Sequence, residues 1–362
     1  MRANGEIPTK EIKKILIVQL AGIGDLVMAT PTLKALRTRF KDAFIGLFVI
    51  SRSAELIRGC PDVDNLFVLD IQHTDLMELF RKGNFIKIYK TIKELHQQRF
   101  DMLINLEHIS SWVGAFKMAI IFWLIGAKYK VGRDTDGKGF FFNFKVKETL
   151  HGKKHTVESN LDVARLLGAD VNEVKLEVPI FEEDIKFVSN FLAQYGVSGK
   201  DLLIGLNPGT FCQSRRWFEK YWSQLADRLF EKYDCKIIIT GHSSERKMIN
   251  NITGSIGKKS VIVATDLNLK QITALIKRLN LFITNDTGPM HIAVATETPL
   301  IGLFGPSDIY KFSPYYKSDR YSILRKEVDC PRPCDKIECE DRKCMELITP
   351  GDVMKQAERT LG

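Results

Sequence analysis

Residues capable of chemistry are concentrated in short loops that follow apolar runs of this 362-residue chain. One such loop, Asn285 to His291, reads NDTGPMH and comes directly after the apolar run LFIT. Pro289 suits the first turn of a helix, so Thr287 and Gly288 would present unbonded backbone amides at the positive end of that helix. Such amides bind the oxygens of a diphosphate. In the alternative interpretation, Asp286 is an ordinary helix cap.

A second loop combines a turn of small residues with two neighbouring arginines. It runs NPGT from Asn207 to Thr210 and continues to QSRRW, which includes Arg215 and Arg216. The small turn lets the backbone approach a ligand, and a planar guanidinium pairs with two phosphate oxygens at once. The loop therefore predicts a phosphate site that includes Thr210 and Arg215. Two solvated arginines at the start of a helix are the alternative.

A carboxylate follows the apolar run CKIIIT, in the stretch GHSSE that ends at Glu245. A carboxylate just beyond a strand commonly holds the hydroxyl groups of a ribose. Glu245 is accordingly a candidate for nucleoside binding. A first-turn glutamate that interacts only with a helix dipole would give the same pattern.

The N-terminal run ILIVQL leads into AGIGD, where Asp25 follows Gly22 and Gly24. Val27 stands where a dinucleotide fingerprint would have its third glycine, so this turn is not a complete nucleotide motif. A carboxylate in this position could instead take a proton from a hydroxyl group. We expect Asp25 to be a catalytic base that the helix N-terminus keeps ionised, at some cost in basicity.

Four of the seven cysteines, Cys330, Cys334, Cys339 and Cys344, lie within fifteen residues. Four thiolates are the right number of ligands for a structural zinc or iron ion, but the spacing differs from the C-x2-C pairs of common zinc modules. The spacing therefore leaves a structural metal site and free thiols as alternatives.

The net charge of +9 is carried by the N-terminal part of the chain. Residues 1–154 contain nine more basic than acidic residues, while the remainder is neutral. This imbalance favours an anionic partner or surface for the first half, with a solvated basic surface as the alternative. Nucleic acid is not expected, because the sequence contains no binding module and no aromatic–basic repeat.

The apolar runs are too short for a membrane-spanning helix, which needs roughly eighteen uninterrupted apolar residues or more. The nearest candidate, Trp112 to Ala127, is interrupted by Lys117. We interpret it as a buried or interfacial helix. The N-terminus has no apolar region before a cleavage site, so we predict no signal peptide and a cytoplasmic protein.

Short apolar runs alternate with amphipathic stretches along the chain, which is typical of parallel α/β sheets. We predict two doubly wound, Rossmann-like domains at 1–175 and 176–349 that face a central cleft, with ligands at the carboxyl ends of the strands. A helix at 350–362 is expected to pack back toward the first domain. Residues 134–151 show no clean periodicity and are interpreted as loop or irregular edge structure.

Taken together, these motifs resemble those of the heptosyltransferase-type glycosyltransferases of family 9, which act in lipopolysaccharide core assembly. The matching stretches are VQLAGIGDLVMATPTLKAL, NPGTF with SRRW, ITGHSSE, TNDTGPMHIAVA and GLFGPSD. They span nearly the whole chain. The specific part of the resemblance is TNDTGPMHIAVA together with GLFGPSD. The short motif GIGD is specific only when it occurs together with these two stretches.

The resemblance implies a GT-B fold and an inverting, metal-independent transfer of heptose from ADP-heptose to a lipopolysaccharide-core acceptor of the lipid A–Kdo type. That acceptor would be an anionic glycolipid at the cytoplasmic face of the inner membrane, with peripheral contact between enzyme and membrane. Asp25 matches the catalytic base of the family, and Arg215 stands where the family usually has a phosphate-contacting lysine. The other residues implied for donor binding are Thr210, Glu245, Asp286, Thr287, Gly288 and His291.

Two other functions remain open on the sequence alone. One is a transferase of the same fold that uses another nucleotide sugar or a protein acceptor, because residues 134–151, where acceptor choice is expected, indicate no specificity. The other is a non-catalytic nucleotide-sugar-binding protein, which the intact Asp25 argues against. A Rossmann dehydrogenase is excluded by the missing third glycine and by a second phosphate-binding loop that it would not need.

Overall fold

The computed structural model describes residues 11–71, 82–257, 261–316, 318–334 and 336–362. The chain forms two compact units, Met1–Pro179 and Ile180–Gly362. The division lies four residues beyond the predicted domain boundary at residue 175. Each unit has its own parallel sheet with helices packed on it, which confirms the predicted α/β fold class.

Among the described residues, the first unit forms a six-stranded sheet in the order β3-β2-β1-β4-β5-β6. Every neighbouring pair of strands is parallel. This is the doubly wound order of a Rossmann-like domain. The central strands are apolar runs because helices cover both faces of such a sheet. The strands are β1 Lys14–Val18, β2 Phe44–Ile50, β3 Asn65–Leu69, β4 Met102–Asn105, β5 Tyr129–Thr135 and β6 Phe144–Glu148.

The helices of the first unit begin and end at local signals in the sequence. Ser111 caps the helix that starts at Trp112 by accepting a hydrogen bond from the Gly114 amide at 3.1 Å. Gly126, with φ of 72°, follows the last residue of that helix. The sequence also predicts a helix near 74–98, and residues 74–81 of that range lie outside the described residues. The described helices are α1 Ile23–Arg39, α2 Ser51–Ile57, α3 Lys82–Gln97, α4 Trp112–Ile125 and α5 Thr156–Arg165.

The interpretation of residues 134–151 as loop or irregular edge structure was wrong for β6, which is a regular strand at the edge of the sheet. β6 lies within that range and pairs in parallel with β5 along its whole length. Its sequence, FKVKE, alternates apolar and charged residues, which is the period of a half-exposed edge strand. The short helix α2 was also missed.

The second unit repeats the same topology. Among its described residues, six parallel strands lie in the order β12-β11-β10-β7-β8-β9. Counted from the first strand of this unit, this is again the doubly wound order. The strands are β7 Leu202–Asn207, β8 Cys235–Thr240, β9 Ile262–Ala264, β10 Leu281–Asn285, β11 Leu300–Leu303 and β12 Tyr321–Leu324.

The helices of the second unit include one long element that the sequence analysis did not predict, α6. Its apolar residues Ile185, Val188 and Leu192 recur at helical spacing, so the sequence did contain a signal for this helix. The edge strand β12 was missed because it is short and half-buried. The helices are α6 Glu182–Ala193, α7 Glu219–Lys232, α8 Arg246–Gly254, α9 Leu269–Arg278, α10 Gly288–Ala295, α11 Ile309–Phe312, α12 Lys343–Glu346 and α13 Pro350–Leu361.

The C-terminal helix α13 packs on the core of the second unit, and its packing toward the first domain stays a prediction. Its residues Val353, Met354 and Ala357 form an apolar stripe that joins the core of the second unit. Lys232 on α7 forms an ion pair with Glu358 at 2.7 Å. The helix also contacts β10, β11 and β12. Residues 350–361 are therefore part of the second unit rather than a separate element.

Within the described part of the chain, every helix is too short or too polar to cross a membrane.

Candidate active site

In each unit the strand order changes direction at one point of the sheet. This switch point lies between β1 and β4 in the first unit and between β7 and β10 in the second. Doubly wound sheets bind ligands there, beyond the carboxyl ends of the strands. Asp25 follows β1, Arg215 follows β7, and Asp286 follows β10. The predicted site residues thus lie where the topology favours ligand binding.

Arg215 and Asp286 form an ion pair that joins the two loops of the second switch point. Arg215 Nη1 donates to Asp286 Oδ2 at 3.0 Å. Asp286 is only 3% exposed, and this burial raises the pKa of its carboxyl group, against the lowering effect of the Arg215 charge. Asp286 therefore orients the guanidinium, whose planar fork carries further N–H donors suited to phosphate oxygens.

The loop after β10 is the N-terminus of a helix, as the sequence predicted. Thr287 is the N-cap residue of α10, and Pro289 lies in its first turn. In the described part of the chain, the Thr287 side chain makes no capping hydrogen bond. The Asp286 carboxylate pairs with Arg215, and the N-cap residue of α10 is Thr287. Asp286 is therefore not a simple cap of this helix. The amide of Gly288 lies at the positive end of the helix, where anions bind, and His291 is buried in the same helix.

Glu245 lies against two glycines from neighbouring loops. A Cβ atom at Gly209 would be 2.2 Å from Glu245 Oε2, and one at Gly241 would be 3.1 Å from the same oxygen. A side chain at 209 would therefore displace the Glu245 carboxylate from this position. Glu245 Oε2 also accepts a hydrogen bond from the His242 amide at 2.9 Å. The carboxylate thus caps a short 3-10 turn, Ser243–Glu245, and also reaches the loop after β7.

A buried polar network ties together the ends of β7, β8 and β10, and the sequence analysis did not identify it. Asn207 Nδ2 donates to Thr284 Oγ1 at 3.0 Å, and Thr240 Oγ1 donates to Asn207 Oδ1 at 3.1 Å. Asn285 Nδ2 donates to the Pro208 carbonyl at 2.9 Å. Because buried polar groups are costly unless they are paired, this network holds the three loops in one geometry.

The cysteine-containing segment supports the arginine loop. Ser214 donates from its amide to the Ile337 carbonyl at 2.9 Å and from its hydroxyl to the Lys336 carbonyl at 2.6 Å. Arg342 Nη1 donates to the Arg216 carbonyl at 3.0 Å. These three hydrogen bonds hold the backbone on both sides of the predicted phosphate-binding arginine. Thr210, predicted for the same site, is buried, and its carbonyl accepts a hydrogen bond from the Arg216 side chain at 3.2 Å.

The structure does not support a metal site at Cys330, Cys334, Cys339 and Cys344. All four are free cysteines, and among the described residues no group of three or more His, Cys, Asp or Glu is placed to hold a metal ion. Burial raises the pKa of the Cys344 thiol, which disfavours the thiolate form that binds metals. The role that the structure shows for this segment is mechanical support of the arginine loop.

Asp25 lies in the first turn of α1, for which Gly22 is the N-cap residue. Gly24 belongs to the same helical turn rather than to a separate glycine loop. Gly22 has a φ of −73°, which any residue adopts, and a Cβ atom there would lie 3.6 Å from Asp25 Oδ2. Neither backbone conformation nor space therefore requires glycine at 22. A Cβ atom there would also lie 3.6 Å from Arg52 Nη2, so glycine leaves open the space beside the Asp25 carboxylate and the Arg52 guanidinium.

Burial raises the pKa of the half-buried Asp25 carboxyl group above its usual value. Hydrogen bonds from the amides of Gly22 and Asp25, and the charges of Arg133 and His108, lower the pKa by less. The expectation that the helix N-terminus dominates and weakens the basicity of this carboxylate was therefore wrong. The higher proton affinity brings Asp25 closer to the range in which general bases work.

A charged cluster lies within electrostatic reach of Asp25, on β5, β6 and the loop after β4. Glu148 Oε1 accepts hydrogen bonds from His108 Nδ1 at 3.0 Å and from Thr135 Oγ1 at 2.6 Å. Arg133 is buried, and its Nη1 lies 3.8 Å from Glu148 Oε2. Burial favours the neutral acid, but the hydrogen bond from His108 and the charge of Arg133 outweigh it and hold the pKa of Glu148 at about 2. The cluster thus contains a fixed negative charge.

Comparison with known proteins decides the family. The model of glycosyltransferase family 9 (heptosyltransferase) matches residues 88–344, which is more than half of the chain. The chain belongs to glycosyltransferase family 9. Its enzymatic class, a glycosyltransferase, is thereby established, and the resemblance predicted from the motifs is confirmed.

Individual members of the family match over most of their length. The lipopolysaccharide core heptosyltransferase OpsX of Haemophilus influenzae is 24% identical over 325 residues, which cover 88% of this chain and 86% of that protein. A family 9 glycosyltransferase from Veillonella parvula has a TM-score of 0.79 at 24% identity, over 96% of this chain and 97% of that one. The structure of E. coli ADP-heptose lipopolysaccharide heptosyltransferase II has a TM-score of 0.73 at 20% identity, over 96% of this chain and 98% of that one. These structures confirm the GT-B fold class.

Glu107, just after β4, is a second unusual carboxyl group of this family 9 glycosyltransferase. Burial, and then the negative charge of Asp25, raise the pKa of Glu107 to about 7, against the lowering effects of Lys117 and Arg133. Its buried Oε2 atom has no hydrogen-bond partner among the described residues. Ionisation of either carboxyl group therefore disfavours ionisation of the other.

We expect Glu107→Gln to stabilise the enzyme at alkaline pH. The native state keeps the Glu107 proton up to about pH 7, whereas an unfolded chain releases it near 4.5, so the free energy of unfolding falls between these values. The glutamine variant lacks this loss and should be more stable than wild type above pH 7, by roughly 1–3 kcal/mol. Urea unfolding of both proteins at pH 4 and pH 8 measures the difference.

The matched control for this prediction is Glu94→Gln, which changes an exposed glutamate on α3. Its stability relative to wild type should not vary between the two pH values. A Glu107→Gln protein that is less stable than wild type at pH 8 would contradict the buried, costly charge at this position.

Glu107 and His108 could have been found from the sequence, but Arg133 and Glu148 could not. The first two follow the apolar run Met102–Leu106, which predicts a buried strand, and the doubly wound order places β4 beside β1. Their loop therefore reaches the same switch point as Asp25. Arg133 and Glu148 lie on β5 and β6, which are farther from the switch point. Whether their long side chains reach the site depends on the direction in which those side chains point, and the sequence does not show that direction.

Proposed function

We propose that this family 9 glycosyltransferase moves a heptose from ADP-heptose to a lipopolysaccharide-core acceptor of the lipid A–Kdo type. The transfer would invert the configuration at the anomeric carbon and require no catalytic metal ion. The H. influenzae relative is named for heptosyl transfer to the lipopolysaccharide core, and the E. coli structure for ADP-heptose. These names support the substrate class, and the residues of the site support the chemistry.

The observation that carries this proposal is the convergence of an arginine, a helix N-terminus and a carboxylate at the second switch point. Arg215 and the amides at the start of α10 suit the two phosphates of a nucleoside diphosphate. Glu245, which reaches the loop after β7, suits the hydroxyl groups of the ribose. Thr210, Asp286, Thr287, Gly288 and His291 complete the proposed donor site.

Asp25 acts as the general base in this mechanism. Its carboxylate takes the proton from an acceptor hydroxyl, whose oxygen attacks the anomeric carbon of the heptose from the face opposite the diphosphate. The new glycosidic bond forms as the bond from the anomeric carbon to the phosphate oxygen breaks. Its raised pKa helps Asp25 to hold the proton that it receives.

The second unit stabilises the leaving ADP without a metal ion. Negative charge develops on the diphosphate as the sugar leaves, and preorganised donors aimed at that charge lower the barrier. Arg215, oriented by Asp286, and the amides of α10 supply these donors. They take the electrostatic role that a divalent cation has in metal-dependent transferases.

The acceptor side is proposed to lie in the first unit, at the cytoplasmic face of the inner membrane. The surplus of nine basic residues in 1–154 suits an anionic glycolipid and peripheral contact with an anionic membrane surface. Nucleic acid is not proposed as a partner.

Donor binding and transfer test the proposal separately. ADP and ADP-heptose are expected to raise the melting temperature, because a ligand at 100 times its Kd adds about 2.7 kcal/mol to the stability of the native state. UDP-, GDP- and CMP-linked sugars at the same concentration should have little effect. With lipid A–Kdo acceptor, transfer should proceed at the same rate in EDTA and in Mg²⁺, and NMR should show an inverted anomeric centre.

The donor, the transfer activity and the metal independence can each be contradicted by a different experimental result. Equal stabilisation by a UDP-sugar would indicate another donor, and donor binding without transfer to any acceptor would indicate a binding protein. Loss of transfer in EDTA would contradict metal independence.

A further inference from the structure

The helix α4 exposes a continuous apolar face. Its buried side, which includes Phe122 and Ile125, packs in the core of the first unit. The opposite side has no polar residue at the exposed positions, and Trp123 is 72% exposed. Helices that are apolar on all sides are normally buried, so this face is missing an apolar neighbour. The exposed residues, called here the apolar face of α4, are Trp112, Val113, Phe116, Ile120, Trp123 and Leu124.

Neighbouring elements extend this face and hold it rigidly. Phe140, 48% exposed, lies 6.4 Å from the Trp112 ring and 5.6 Å from the Phe116 ring, measured between centroids. At the other end, His96 of α3 contacts the last carbonyls of α4 through Nδ1, at 3.0 Å from the Leu124 oxygen. The face is therefore a fixed surface of the fold rather than a loose segment.

The charge around this face is mainly basic, although Asp136 lies 4.0 Å from the neighbouring Lys138. Between His108 and Gly132 the sequence contains Lys117, Lys128 and Lys130 but no aspartate or glutamate. Lys138 lies over the ring of Trp112, with its Nζ 5.9 Å from the centroid. An apolar, tryptophan-containing helix face with mainly basic neighbours complements the interface of an anionic bilayer, where indole rings sit at the headgroup level and lysines meet anionic headgroups.

We propose that the apolar face of α4 docks the enzyme on an anionic phospholipid bilayer. With 14 residues, α4 is about 21 Å long and too short to cross the hydrocarbon core of about 30 Å, so it lies in the plane of the interface. The choice of a lipid surface rests on the proposed function, in which the acceptor is a glycolipid. The contact itself requires only phospholipid, not the acceptor.

Vesicle binding by the full chain tests this docking surface. Wild-type protein is expected to cosediment with vesicles of phosphatidylglycerol and phosphatidylethanolamine and to bind at least 10-fold more weakly to phosphatidylcholine alone. Its fluorescence should shift to the blue on binding. Trp217 and Trp222 are buried, so the shift reports on Trp112 and Trp123.

Phe116→Ser/Trp123→Ser is expected to weaken binding to the anionic vesicles at least 10-fold. Both positions are exposed, so the melting temperature should stay close to that of wild type. The matched control is Ile185→Ser/Phe187→Ser, which removes two exposed apolar side chains from α6 of the second unit. This control should bind the vesicles like wild type.

Three results would overturn the proposal. In the first, the wild-type protein does not bind the anionic vesicles. In the second, the Phe116→Ser/Trp123→Ser variant binds them as well as wild type does. In the third, the wild type is a dimer, and the variant is monomeric but still binds the vesicles like wild type. The last result would assign the face to a second copy of the chain. Transfer to a water-soluble, delipidated acceptor should be unchanged in the variant, because neither residue belongs to the proposed site. Absence of that transfer in wild type would contradict the proposed function and leave the docking surface intact.

Discussion

Replacement of Asp25 by asparagine is expected to lower the turnover number for heptose transfer by about 10²–10⁴-fold, the contribution typical of a general base. The amide has the size and shape of the carboxylate and can still accept a hydrogen bond from the Gly22 amide, so the start of α1 should persist. It cannot take up the acceptor proton. The affinity for ADP, measured by calorimetry, should stay within about twofold of wild type because the proposed donor site lies in the second unit.

A matched control exists for this variant within the same chain. Asp184 occupies the same third position of a helix, α6, and accepts a hydrogen bond from the Phe181 amide at 3.3 Å. Asp184→Asn removes an equivalent charge at an equivalent place in a helix but is outside the proposed site. It should leave turnover unchanged. Near-normal turnover in Asp25→Asn would remove Asp25 from the role of base.

The pH dependence provides a second readout for Asp25. Only the ionised carboxylate accepts a proton, so kcat/KM of the wild type should fall as the pH is lowered through the pKa of Asp25. Burial raises that pKa, so the midpoint should lie above the usual value of 3.8. In Asp25→Asn the pKa of Glu107 should also fall below about 7, because the negative charge that helps to raise it is gone. Carbon NMR of the Glu107 carboxyl group measures this change.

Arg215→Ala is expected to weaken donor binding by about 10–100-fold, which corresponds to the loss of one or two charge-assisted hydrogen bonds to phosphate. It also leaves Asp286 buried without its cation, so stability should decrease. The decrease should be smaller than for a fully buried pair, because the Arg215 side chain is 33% exposed. Calorimetric titration with ADP and urea unfolding separate the two effects.

Arg246→Ala is the control for the arginine variant. Arg246 also pairs with an aspartate of the second unit, Asp266, at 2.5 Å, but both side chains are more than half exposed. Surface pairs contribute little, so neither ADP affinity nor stability should change by much. Arg215→Lys should retain more donor affinity than Arg215→Ala, since the charge is kept and only the fork is lost. Unchanged ADP affinity in Arg215→Ala would exclude Arg215 from the donor site.

Local sequence was sufficient to predict most of the fold and the loops of the site. The run LFIT followed by NDTGPMH predicts a buried strand and a helix with proline in its first turn, and the structure contains β10 and α10 at these positions. Such signals depend only on residues close together in the chain. The strands β6 and β12 were missed because their local signals are weak at sheet edges, whereas the missed helix α6 has a clear amphipathic pattern.

Only the tertiary structure decided how the site residues interact. Arg215 and Asp286 are 71 residues apart and meet because β7 and β10 are neighbours in the sheet. The support of the arginine loop by Lys336 and Ile337 depends on a similar long-range contact.

The proton affinity of Asp25 shows the limit of the sequence most clearly. The sequence alone placed this aspartate at the start of a helix, where the backbone amides favour its charged form. The structure adds burial, which acts in the opposite direction and has the larger effect. Burial is set by every element that packs around a residue, so it cannot be derived from the neighbours of Asp25 in the sequence. The sequence therefore determined which residues are available for catalysis, and the fold determined their electrostatic properties.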